Sequence, residues 1–218
     1  MLVYERMSRH PITVTSDVAI EDALHLMHEN KVRRLPVLDK KGALVGIVSE
    51  KDLLYASPSP VTSLSIHELH YLVSKIKTAD VMTKEVITVG EYTPLEEAAR
   101  IMADHKIGGL PVVRNGTLVG IITETDLFKI FLELLGAREA GVRLAMLVPE
   151  QLGILATITH DIAEMGGNII SLSTFLGEDP TNRLITVKVA GVEQEQLVGS
   201  MEALGMEVLD ARVCARCA

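Results

Sequence analysis

Residues 7 to 54 recur as residues 82 to 128, and this repeat confines the chain to folds built from two like halves. Met7 matches Met82, Ile12-Thr13-Val14 matches Ile87-Thr88-Val89, Ala23 matches Ala98, and Met27 matches Met102. KVRRLPV (Lys31 to Val37) matches KIGGLPV (Lys106 to Val112), all displaced by 75 residues. One residue is then lost where Asp39-Lys-Lys-Gly42 becomes Arg114-Asn-Gly116, and LVGIVSEKDLL matches LVGIITETDLF at a displacement of 74. A length change confined to a glycine-containing turn is one that a folded repeat tolerates.

Each copy reads as β-α-β-β-α over about 50 residues. A short strand carries the Ile-Thr-Val. A polar turn follows, with Asp17 or Thr93 as the expected helix N-cap. Apolar residues at helical spacing (Ile20, Ala23, Leu24 and Met27 in the first copy) predict helices over 20–29 and 95–105. LPVLD and ALVGIV predict an antiparallel hairpin, and Asp-Leu-Leu or Asp-Leu-Phe opens a second helix. Neither copy buries enough surface to stand easily alone, so the two are expected to pack together. Between them, SPSP (Ser57 to Pro60) reads as a turn and Ile66 to Lys77 as a helix whose His67 and His70 lie on its surface.

The bulk composition agrees with packed domains: 48% hydrophobic, 23% charged. A net charge of −8 argues against broad nucleic-acid binding, which needs a basic face. No stretch approaches the ~20 apolar residues of a membrane span, and MLVYERMSRH lacks the apolar run of a signal peptide, so a soluble, cytoplasmic chain is expected. The two cysteines, Cys214 and Cys217, supply no disulfide framework and only half a zinc site; the CARC stretch reads as a disordered tail. No catalytic motif stands out, no metal site is expected, and a non-enzyme is predicted.

The paired motifs Leu35-Pro36-Val37 with Gly46-Ile-Val-Ser49-Glu-Lys-Asp52, and Leu110-Pro111-Val112 with Gly120-Ile-Ile-Thr123-Glu-Thr-Asp126, resemble a tandem pair of cystathionine-β-synthase (CBS) domains, over residues 1 to 136. The resemblance implies adenosine-type ligands, nucleotides or S-adenosylmethionine-like molecules, bound between the repeats as regulatory ligands rather than required cofactors. Each cleft is then expected to join the aspartate segment of one repeat to the first strand and pre-LPV residues of the other. One joins Ile121, Thr123, Thr125 and Asp126 to Ile12, Arg33 and Arg34; the other joins Ile47, Ser49, Lys51 and Asp52 to Ile87, Gly108 and Gly109. The aspartate would accept from ribose hydroxyls, the Ser or Thr hydroxyl would donate to a phosphate, and the helix N-terminus would add backbone N–H groups. Two guanidiniums against glycines make the Asp126 cleft the stronger expected anion site, with Lys51 the only evident cation of the other. The aspartates also read as ordinary N-caps, and Arg33 and Arg34 as a solvated pair.

Beyond Gly136 the pattern changes to β-α-β-β-α-β over about 75 residues. Pro149 to Leu155 and Gly167-Asn168-Ile169 resemble the corresponding stretches of an ACT domain, a ferredoxin-like regulatory fold that often takes amino acids. The resemblance implies an effector site at Leu152, Gly153, Ile154, Asn168 and Ile169, or a purely dimerising role. Family members often carry Pro-Gly in the first loop, where Leu152-Gly153 stands here. The expected organisation is α+β, with repeats at 1–56 and 80–136, a linker at 57–79, an ACT domain at 141–214 and a tail at 215–218. Two CBS repeats followed by an ACT domain are similar to the bacterial acetoin-utilisation group, which implies a regulator of carbon metabolism; a homodimer is expected, and the sequence names no regulated target. An interaction scaffold with empty clefts and an amino-acid sensor are the other readings.

Overall fold

The computed structural model describes residues 1–56 and 75–215. The linker reading over residues 57–74, with its histidines, and Cys217 fall outside them. The chain divides into two units, Met1–Leu127 and Phe128–Ala218.

In the first unit, strands β2 (Val14–Thr15), β3 (Arg34–Leu38) and β4 (Leu44–Ser49) form one sheet, β2 parallel and β4 antiparallel to β3. Strands β5 (Val89–Gly90), β6 (Gly109–Arg114) and β7 (Thr117–Thr123) repeat that arrangement in a second sheet. The hairpins form where the sequence predicts them. Asp39 Oδ1 accepts from the backbone N–H groups of Lys41 and Ala43, both at 2.8 Å, to hold the first turn. Asn115 and Gly116 take positive φ, 49° and 78°, in the tighter second turn. Helices Ile20–Glu29 and Leu95–His105 bury the matched residues Ile20, Ala23, Met27 and Leu95, Ala98, Met102.

Two local expectations need correction. The Ile-Thr-Val stretches enter strands only at Val14 and Val89. The helices are preceded by Ala19 and Pro94, without side-chain caps, while Asp17 accepts instead from the Thr15 hydroxyl at 2.7 Å.

The sequence gives no sign of how the segments leading into the repeats are used. β1 (Ser8–Arg9) pairs antiparallel with β7 of the second repeat, and the N–H groups of Val3 and Tyr4 donate to Thr93 and Glu91 at 2.9 and 2.8 Å. Reciprocally, Thr83 exchanges two hydrogen bonds with Ile47 of the first repeat, and Thr78 N–H donates to Val18 at 2.8 Å. Each lead-in therefore docks on the other repeat and satisfies backbone groups left open there. Space is the second reason. A Cβ on Gly120 would collide with Met7 Sδ, and one on Gly46 with Met82 Sδ, so the glycine of each LVG motif admits the methionine of the opposite lead-in.

Where the N-terminal lead-in docks, Arg114 donates twice to the buried Glu91 carboxylate. Those hydrogen bonds hold the Glu91 pKa below its ordinary value of 4.5. A depressed carboxylate stabilises the fold fully above its unfolded-state pKa, and that contribution is lost as pH falls through the lower folded value. Thermal melts between about pH 7 and pH 2.5 are expected to show an acid-side loss of stability that Glu91→Gln flattens; coincident acid limbs would contradict this assignment.

The second unit has the strand order β11 (Glu207–Cys214), β8 (Gly141–Pro149), β10 (Asn182–Ala190), β9 (Asn168–Leu176), all antiparallel. Alternate residues Val142, Leu144, Met146 and Val148 pack with Ile185, Val187 and Val189 against helices Ile154–Glu164 and Gln194–Ala203. The β-α-β-β-α-β order expected from the sequence is present, and Cys214 belongs to strand β11, paired with Gly141, rather than to a disordered tail. Lys188 on β10 is only 4% exposed, and its ammonium donates to the Gly136 carbonyl at 2.8 Å. Ser171 donates to the Leu135 carbonyl at 3.2 Å. Two backbone acceptors just past helix Glu124–Leu134 are thus satisfied by the sheet.

Candidate functional site

Two of the cavities in the first unit hold the expected site residues, each walled by parts of both repeats. The smaller, about 280 Å³, is lined by Ile121, Thr123, Thr125 and Asp126 on one side and Ile12, Arg33 and Arg34 on the other. The larger, about 570 Å³, is lined by Ile47, Ser49, Lys51 and Asp52 and by Ile87, Gly108 and Gly109. Both volumes belong to the small-molecule range or just below it.

The aspartates are held by the local turn from strand to helix. Asp52 Oδ2 accepts from the backbone N–H and hydroxyl of Ser49 at 2.8 and 2.6 Å, and Ser49 Oγ accepts from Asp52 N–H at 3.3 Å. Asp126 Oδ2 likewise accepts from the N–H and hydroxyl of Thr123 at 3.0 and 2.7 Å. At Asp52 this is a reciprocal helix-start clasp of the capping-box kind, built with aspartate, and at Asp126 the carboxylate half of the same clasp is formed. It corrects the chemistry expected of the hydroxyls: each gives its proton to the carboxylate, so neither points that proton at a phosphate. Oδ1 is the carboxylate oxygen outside the clasp and the acceptor that a ligand hydroxyl would meet.

Several lining residues come from the exchanged lead-ins and were missed in the sequence. Ser8, His10 and Pro11 line the smaller cavity, and Thr83, Glu85 and Val86 the larger. Lys31 and Lys106 follow the same symmetry, one per cavity, each at the end of a helix in a left-handed conformation with φ 53°. The repeat alignment pairs all four sets at a displacement of 75, and that was the available signal.

The arginines break the symmetry. Arg33 and Arg34 line both cavities, and with Lys106 they join Lys51 in the larger one. The expectation that Lys51 is the sole cation there is therefore wrong. Arg34 extends across to the second repeat: a Cβ on Gly108 would overlap its guanidinium, with Cζ at 2.7 Å, and a Cβ on Gly109 would sit 3.2 Å from its Cδ. The Arg34 side chain is 24% exposed, and its one ion pair among the described residues, with Glu124, is 3.7 Å long. Burial pushes its pKa down from the ordinary arginine value; Glu124 and Asp52 oppose that, and the adjoining Arg33 adds to it. The group stays a cation, held between the repeats with few partners.

In the second unit the expected effector residues are not brought together. Leu152, Gly153 and Ile154 follow Pro149, which pairs with Asn182 at one end of β10, whereas Asn168 and Ile169 pair with Ala190 and Val189 at the other end. At the rise of an extended strand these ends are roughly 23 Å apart, so within one chain they form no single pocket. Gly153 takes φ +86° before helix Ile154–Glu164, and Leu152 is fully exposed.

Comparison with known proteins gives matches concentrated on the first unit. The family model described as CBS domain matches residues 3–59 and 79–133. A CBS domain-containing protein of Dictyostelium discoideum is 32% identical over 136 residues, covering 62% of this chain and 94% of that one. An inosine-5′-monophosphate dehydrogenase of Nitrosopumilus maritimus is 36% identical over 122 residues, 56% of this chain but only 22% of the enzyme. Among solved structures, a Vibrio cholerae protein assigned to acetoin utilization (AcuB) matches with TM-score 0.52 and 38% identity, over 62% of this chain and 93% of that one. The CBS domain pair of protein MJ0100, in complex with 5′-methylthioadenosine and S-adenosyl-L-methionine, matches with TM-score 0.51 and 30% identity, over 64% and 98%. Among the described residues, no helix is long and apolar enough to cross a membrane.

Proposed function

The chain belongs to the CBS domain family, and on that premise we propose that it is a non-catalytic, cytoplasmic regulator that senses an adenosine-containing ligand in the two clefts between its repeats. One observation carries this reading: each cavity joins the clasped aspartate of one repeat to the lead-in and pre-LPV residues of the other. An Asp carboxylate with one open oxygen suits a ribose hydroxyl, and the lysines and arginines around it suit a phosphate or carboxylate. The ligands named for the MJ0100 structure support the adenosine class. A ligand that spans both repeats stabilises the arrangement it fits best, and by that difference alone it shifts how the repeats pack.

The second unit we read as an ACT-type domain, supported by its strand order and by the left-handed Gly153 that opens its first helix. The roughly 23 Å separation of the two candidate effector stretches favours dimerisation as its role, since only a second copy could supply the missing half of a pocket. We extend the reading to regulation of carbon metabolism through a protein target, for which the likeness to the Vibrio cholerae structure is the support.

A thermal-shift screen of adenosine, AMP, ATP, S-adenosylmethionine and the amino acids tests the reading. A ligand at 100 times its Kd adds about 2.7 kcal/mol of stability. Stabilisation by an adenosine compound supports it. Response to amino acids alone would move the sensing role to the second unit, and response to none would leave an interaction scaffold.

A further inference from the structure

The two clefts share one matched pair of lysines, the larger adds Lys51 where the smaller has Thr125, and a single set of arginines serves both. Lys31 serves the smaller cavity and its counterpart Lys106 the larger. The counterparts of Arg33 and Arg34 are Gly108 and Gly109, and both arginines line both cavities. Arg33 is exposed, and its charge is largely screened by water. Arg34 is three-quarters covered, seated over the glycines, and weakly paired with Glu124. A cation so placed has most to gain from an anionic ligand, and it can close on only one.

We propose that Arg34 is a phosphate ligand shared by the two clefts, so that the chain takes one nucleoside monophosphate tightly and a second only weakly, while uncharged nucleosides fill both clefts independently. The inference rests on the adenosine-binding reading above. It also orders the clefts. Gly108 and Gly109 line only the larger cavity, and Asp52 is among the charges that Arg34 feels. The first phosphate therefore belongs in the Asp52 cleft, which reverses the order expected from the arginine and glycine motifs alone.

The consequence is anticooperativity that depends on the charge of the ligand. When phosphate in the Asp52 cleft draws in the guanidinium, a phosphate in the Asp126 cleft meets Lys31 and the screened Arg33 without it. Coupling between sites commonly amounts to factors of about 5 to 150, and about tenfold is expected here.

Isothermal titration of the full chain with adenosine and with AMP is the test. The wild type is expected to bind two adenosines within about threefold of each other, and two AMP molecules about tenfold apart. Arg34→Gln is expected to weaken the first AMP step about tenfold and bring the two steps together, with a thermal melt as the control for folding. Gly108→Ala, which evicts the guanidinium from its seat, is expected to narrow the gap in the same direction. Arg33→Gln is expected to weaken both AMP steps and keep their ratio. Equal AMP steps in the wild type, or a tenfold gap that persists in Arg34→Gln, would overturn the inference. So would a single adenosine site, because the inequality would then precede the phosphate. Absence of any adenosine or AMP binding would instead sink the reading on which it rests.

Discussion

Asp52→Ala is expected to weaken the first AMP-binding step at least tenfold, whereas Asp126→Ala is expected to abolish the second step and leave the first within about threefold. The asymmetry follows from the seat of Arg34 on the Asp52 side. The size follows from the chemistry removed. A hydrogen bond to a charged group contributes about 1.5–3 kcal/mol, and each 1.4 kcal/mol is a factor of ten in affinity. Both substitutions also open a helix-start clasp, which costs roughly 1 kcal/mol of stability and is the same for the two repeats. A thermal melt of each variant separates that common cost from the unequal loss of binding. With adenosine in place of AMP, each substitution should remove one of two equivalent sites. If Asp126→Ala removes the first AMP step while Asp52→Ala leaves it intact, the assignment of the phosphate to the Asp52 cleft is wrong.

Removal of residues 1–7 is expected to loosen the second repeat rather than the first, although those residues adjoin the first repeat in the chain. Val3 is fully buried, its N–H bonds Thr93, and Met7 packs over Gly120. The deletion empties a buried valine site and a methionine contact and breaks at least two backbone hydrogen bonds, a loss of roughly 3 kcal/mol or more. Hydrogen exchange reads the location: amides of β6 and β7 should lose protection while those of β3 and β4 keep theirs. Uniform loss across both sheets, or loss confined to residues 14–49, would show that the lead-in does not act where it docks. The same truncation removes part of the lead-in beside His10 and Pro11, so the smaller cleft should lose adenosine affinity along with it.

Much of the fold could be read along the chain because the signals are local. Helical spacing at Ile20, Ala23 and Met27, the glycine turns at 42 and 116, and the strand alternation from Val142 to Val148 each sit within a few residues of the element they specify. The aspartate sites were visible for the same reason, since Ser49 with Asp52 and Thr123 with Asp126 lie one helical turn apart. Their hydrogen bonding was not. Spacing cannot tell a hydroxyl aimed at a ligand from one that clasps the neighbouring carboxylate. At Asp17 the helix cap loses to a competing partner, the hydroxyl of Thr15 two residues before it.

What the sequence alone determined is therefore the repeated unit, its order of elements, the positions of the two aspartates and the β-α-β-β-α-β pattern after residue 140. Those depend on local propensity and on burial at a regular period, both of which a linear string carries. Only the tertiary structure decided the partners. It sent each lead-in to the opposite repeat, put Lys106 into the same cavity as Asp52, separated Gly153 from Asn168 along the sheet, and laid Arg34 over Gly108. Each of these is a choice between distant residues whose local surroundings look the same either way, made by steric fit and by the cost of leaving a backbone group or a charge without a partner.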